Sequence, residues 1–222
     1  MWTISELKER GKTAFKANYW PCVLVAFLLS LLAGGLTVTS KLNESEGSSF
    51  IESFRQLPPE AIAAIAGIST TVIIVALLLR IFLFNPLSVG CHGFFIENHE
   101  QPARLEVLKK GFRNYGNVFL TLFLKDLFLV LWTLLLIVPG VIKAYSYRMV
   151  PYILAEDPTL SPTECITRSR EMMRGNKWNA FVLDLSFIGW HILTILTFGL
   201  VGIFWTDPYK ESTDAALYLA LR

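Results

Sequence analysis

The chain has 222 residues, 53% hydrophobic and 17% charged, with a mean hydropathy of +0.48 and a formal net charge of +2. A soluble domain of this length carries about a quarter charged residues, so the composition argues against an ordinary water-soluble domain and for lipid. The small net charge gives no footprint for nucleic acid, and three cysteines without a CxxC pair (Cys22, Cys91, Cys165) read as structural thiols.

Residues 1–18 read as an amphipathic leader. Thr3-Ile4-Ser5-Glu6 is a capping-box pattern, which a cleaved signal peptide does not need, so the first membrane helix is expected to be retained. That helix runs from Tyr19 to Val38 and is followed by an acidic loop over 39–60. The second spans Ala61 to Phe84. A basic segment leads to the third, Val118 to Val138, which ends at Pro139-Gly140, and the fourth follows at once over Val141 to Ala155. The fifth covers Trp178 to Phe198 and the sixth starts near Gly202 and ends at Arg222. The fourth is about 22 Å long, short against the roughly 30 Å of hydrocarbon. The sixth holds Asp207, Lys210, Glu211 and Asp214, so both are open to a half-spanning or surface placement.

Cations set the orientation. The leader holds Lys8, Arg10, Lys12 and Lys16; the segment before the third helix holds Arg104, Lys109, Lys110 and Arg113; the one before the fifth holds Arg168, Arg170, Arg174 and Lys177. The 39–60 loop has Lys41 and Arg55 against Glu44, Glu46, Glu52 and Glu60. All three basic segments and both termini then lie on the cytoplasmic side. These segments also look alike. Each is an amphipathic stretch with a start signal (Thr3–Glu6, Pro102 with Glu106, Ser161–Glu164) ending in an apolar residue, a cation and an asparagine: Asn18, Asn114 and Asn176. Each descending helix carries a proline: Pro86, Pro151 and Pro208. The expected fold is all-α, one membrane domain of six transmembrane helices in three hairpin repeats over 19–98, 99–156 and 157–222, each preceded by an amphipathic interfacial helix.

The candidate site is a set of ionisable residues at membrane depth: Arg80, Lys125, Asp126, Lys143, Arg148, Asp184 and His191, with Asp207, Lys210, Glu211 and Asp214 if the sixth helix spans. Such groups are costly in lipid and face the protein interior in pairs. The fourth helix supplies cations (Lys143, Arg148) and the sixth supplies anions (Asp207, Glu211, Asp214), so these two are expected to pair. They read either as structural ion pairs or as a polar cavity for a solute. Cys91-His92 with Glu97 and His99 does not make a metal-ligand spacing. No phosphate loop, HExxH or nucleophile elbow occurs, so no catalytic residue, metal or cofactor is expected.

Leu136-Ile137-Val138-Pro139-Gly140, Tyr145–Val150, Ser169–Trp178, Leu185–Trp190 and Pro208-Tyr209 together resemble DUF975, a bacterial membrane protein family of unknown function. The layout is more distantly similar to the membrane domain of some glycerophosphodiester phosphodiesterases. The resemblance implies a bacterial cytoplasmic-membrane protein and carries over no catalytic residue. The functional expectation is a non-enzymatic module that binds anionic lipid headgroups or a membrane-protein partner as a scaffold. A small-solute transporter or channel built on the buried charges, and a membrane enzyme, are the alternatives.

Overall fold

The computed structural model describes residues 2–32, 58–62, 67, 70–72, 74, 75 and 80–222, the side chains of 80 and 81 excepted. The described residues form helices and no strand. The leader is α1 (Ile4–Ala17), started by the Thr3 hydroxyl, which accepts from the Glu6 amide. At Asn18 the chain bends by 109° into α2 (Tyr19–Leu32); the rest of the first expected span, and most of the second, lie outside the described residues.

The second expected span does not stop at Phe84. A π-helical turn, Arg80–Phe84, runs straight into α3 (Asn85–Glu97), whose Pro86 sits in its first turn. Proline needs no amide partner there, and the wide π turn before it makes room for its ring. The same device recurs near the C-terminus, where the π turn Gly202–Thr206 feeds the last helix at Asp207-Pro208. After α3 comes a 3₁₀ helix, Leu105–Phe112. Helix α4 (Tyr115–Leu135) ends not at Pro139-Gly140 but at Leu136, which is extended (φ −160°). Pro139 then falls in the first turn of α5 (Ile137–Ser146), where it is tolerated. The expected fourth span is therefore two helices, α5 and α6 (Val150–Glu156), broken at Tyr147–Met149 just before Pro151.

Helix α7 (Pro162–Met172) has the full capping box, with Ser161 and Glu164 satisfying each other's backbone amides, and Gly175 (φ 78°) turns the chain beyond it. The fifth span is α8 (Lys177–Leu185) and α9 (Ile188–Leu196) with a kink between them. There the Ser186 hydroxyl donates to the Leu183 carbonyl, and Lys8 of α1 donates to the Ser186 carbonyl at 3.2 Å. The last helix, α10 (Asp207–Leu221), buries nearly every residue from Pro208 to Tyr218.

Among the described residues two helices are long and apolar enough to cross a membrane, α4 and the joined Lys177–Leu196, and a third if α1 and α2 count as one bent span. Exposed Leu127, Val130, Leu131 and Leu134 on α4, and Ile192, Ile195 and Leu196 on α9, give these helices the apolar outer faces that lipid requires. The amphipathic segments turn part of their apolar faces to protein. Leu7, Ala14 and Phe15 of α1, Val107 of the 3₁₀ helix, and Cys165 and Ile166 of α7 are buried in protein.

The arrangement is cyclic. Helix α1 packs on α10, the 3₁₀ helix on α3, and α7 on α6, so each amphipathic segment leans on the proline-bearing helix that precedes it in the chain, the first closing on the last. Each motif asparagine reaches the start of the next amphipathic segment. Asn18 donates to Asn98 and to the Ala103 carbonyl. Asn114, in the left-handed region at φ 49°, donates to the Pro158 carbonyl, and Trp2 donates to Asn176. The seams are tight: a Cβ on Gly11 would lie 2.5 Å from the Thr213 hydroxyl and 2.8 Å from its Cα.

Candidate functional site

A helix that is buried all round yet carries four charges must place them together, and α10 does. Asp207, Lys210, Glu211 and Asp214 follow the i, i+3, i+4, i+7 spacing that puts side chains on one face. The inner end of this stripe meets the break between α5 and α6. Arg148 donates both terminal nitrogens to Asp184 of α8, at 2.9 and 2.8 Å, and one of them also to Asp214 at 2.7 Å. Lys210 bridges the same two carboxylates at 2.8 Å each, and the Tyr145 hydroxyl donates to Asp184 at 2.9 Å. Two cations and two anions therefore cancel in one cluster, tying α5, α8 and α10 together. The fork of the arginine suits such shared carboxylates.

The outer end of the stripe opens on a cavity of about 550 Å³ between α2, α3, α4 and α10. Asp207, Lys210 and Glu211 face it from α10, Lys125 and Asp126 from α4, and His191 from α9. Asn85, Ser88 and His92 face it from α3, again at helical spacing. Ala26, Leu29, Leu32 and Phe84 supply an apolar side. Lys125 pairs with its neighbour Asp126 at 3.0 Å, and His92 Nδ1 lies 2.6 Å from the Ser88 carbonyl, which fixes the proton on that nitrogen.

The expected residues thus divide. Arg148, Asp184, Lys210 and Asp214 form the ion-pair cluster; Lys125, Asp126, His191, Asp207 and Glu211 line the cavity, and Lys210 belongs to both. The pairing of fourth-helix cations with sixth-helix anions holds for Arg148 and Asp214 alone. Lys143 points away and sits 4.5 Å over the Trp132 ring, close to the exposed end of α4. The side chain of Arg80 lies outside the described residues. Asn85, Ser88 and His92 are not in the expected set because the helix was expected to end at Phe84; continued through Pro86, the same spacing rule brings all three onto one face. Among the described residues no three His, Cys, Asp or Glu side chains are placed to hold a metal ion, and Cys22, Cys91 and Cys165 are free and buried.

No curated protein and no solved structure matches the chain. Residues 134–222, the stretch from the end of α4 through α10 that holds the ion-pair cluster, match the family described as "Protein of unknown function (DUF975)".

Proposed function

We propose that the chain is a multi-pass protein of the bacterial cytoplasmic membrane, six crossings in three hairpin repeats with both termini cytoplasmic, and that it admits a small polar solute to the cavity beside α10. The observation that carries this reading is the cavity itself: about 550 Å³, within the size range of small-molecule sites, lined by charged and hydrogen-bonding groups on helices whose outer faces are apolar. Ionisable groups on helices of this kind mark solute or ion pathways. The cyclic seams and the prolines at Pro86, Pro151 and Pro208 support the three repeats. No catalytic step belongs to this proposal.

A second reading, a lipid- or partner-binding scaffold, has one observation in its favour. Arg168 and Arg170 of α7 and Arg174 just beyond it stay exposed, and each would be worth roughly 1 kcal/mol against anionic headgroups. It is the weaker reading, because part of the apolar faces that would enter the headgroup layer, Leu7 and Phe15 of α1 and Cys165 and Ile166 of α7, is already used on protein.

The test is water access. In a cysteine-free background, Ser88→Cys in sealed vesicles should react with a small membrane-impermeant thiol reagent from one side of the membrane. Val130→Cys, on the outer face of α4, should not. A Ser88→Cys protein inert from both sides would leave the solute reading without support and favour the scaffold.

A further inference from the structure

We infer that the cavity takes a small organic cation, an alkylammonium head on a short apolar chain, with Glu211 as its principal counter-charge. This rests on the solute reading above and names the class of solute.

The argument is a charge balance. Among the described side chains, the cavity wall and the cluster behind it hold five carboxylates (Asp126, Asp184, Asp207, Glu211, Asp214) against three fixed cations (Lys125, Arg148, Lys210). Lys125 is taken by Asp126, and Arg148 and Lys210 are shared between Asp184 and Asp214. Two carboxylates one helical turn apart, Asp207 and Glu211, are left facing the cavity. His191 lines the same wall. Glu211 has neither a hydrogen bond nor an ion pair with any described residue, although its helix is buried along nearly its whole length. A carboxylate held among buried helices is neutralised either by a proton or by a counter-charge. A solute cation would supply it.

The rest of the wall says what kind of cation. A divalent metal wants six or more oxygen ligands in a tight shell, and no three acidic, histidine or cysteine side chains converge among the described residues. An ammonium group needs fewer: one carboxylate and one or two neutral acceptors, which Ser30, Ser88 and Asn85 can give. Leu29, Leu32 and Phe84 on the apolar side suit a short hydrocarbon chain, and the ring face of Phe84 is compatible with a nearby cation.

The experiment uses the full chain in detergent micelles and three probes of one size: butylammonium, butyrate and butanol, titrated calorimetrically. Butylammonium should bind and the other two should not. Glu211→Gln, which removes an unpaired charge without changing shape, should weaken butylammonium at least tenfold while melting no lower than the parent. Binding of butyrate in place of butylammonium would overturn the cation class and leave the cavity reading standing, since Ser88→Cys labelling decides that separately. Silence from all three probes, unchanged affinity in Glu211→Gln, or a marked drop in its melting temperature would each overturn the proposal. The last would mean that Glu211 is paired within the fold.

Discussion

Arg148 reaches Asp184 with both terminal nitrogens and Asp214 with one, so its removal strands two carboxylates on a single remaining cation, Lys210. Breaking a buried pair in this way costs about 3–5 kcal/mol. Arg148→Ala should lower the melting temperature in detergent sharply, and adding Asp184→Asn should recover part of it, because Lys210 and Asp214 still cancel. A single mutant as stable as the parent would show that the cluster is solvated. A second residue couples stability to pH. His99 lies outside the expected spans, its Nε2 donates to the Ser212 carbonyl at 2.8 Å, and burial lowers its pKa. The fold holds the neutral ring, whereas the unfolded chain takes a proton near pH 6.5. The contribution is therefore complete above about pH 6.5 and is lost as pH falls below it. Melting temperatures measured between about pH 7 and pH 5 should fall less steeply in His99→Gln than in the parent. An unchanged slope would mean that His99 plays no part.

The elements differ in how far they could be read from sequence, and the reason is range. The capping box at Ser161 is local chemistry, legible in four residues and found as expected. The break at Ser186 is not legible, because the group that satisfies its carbonyl, Lys8, lies 178 residues away. The run from Arg80 to Glu97 was expected to stop at Asn85-Pro86, since proline usually ends a helix. The π turn before it removes that obstacle, and with the missed helix went Asn85, Ser88 and His92. The polar stripe of α10, by contrast, is written in its spacing. Helix α7 also shows that an amphipathic pattern names a buried face but not what buries it. Its Cys165 is fully buried against protein, with a thiol pushed up to about 12 by that burial. A thiol reagent at about pH 8 should leave Cys165 unmodified and label Arg168→Cys readily; fast modification of Cys165 would contradict its burial in protein. The seam between α1 and α10 is a separate test. Gly11→Ala drives a methyl into the Thr213 backbone and should destabilise by about 1–3 kcal/mol, whereas Gly116→Ala, with nothing within 4 Å, should be neutral or mildly stabilising.

At the scale of the whole molecule, two or three of the described helices are long and apolar enough to cross a membrane, and the other expected spans are short, broken by proline or only partly described. What joins them into one account is the closed ring, in which each amphipathic segment rests on the preceding descending helix and each motif asparagine ties to the segment that follows. On the proposed topology this ring would set the amphipathic segments and both chain ends on the cytoplasmic side, the side that the cation count gives. The most direct measurement is therefore sidedness, by impermeant thiol labelling of single cysteines in a cysteine-free background. Gly47→Cys, in the acidic 39–60 loop, should label from outside the cell, and cysteines placed at Trp2 and Arg222 should label only after the membrane is opened. A C-terminal cysteine labelled from outside would remove α10 as a crossing and contradict the account.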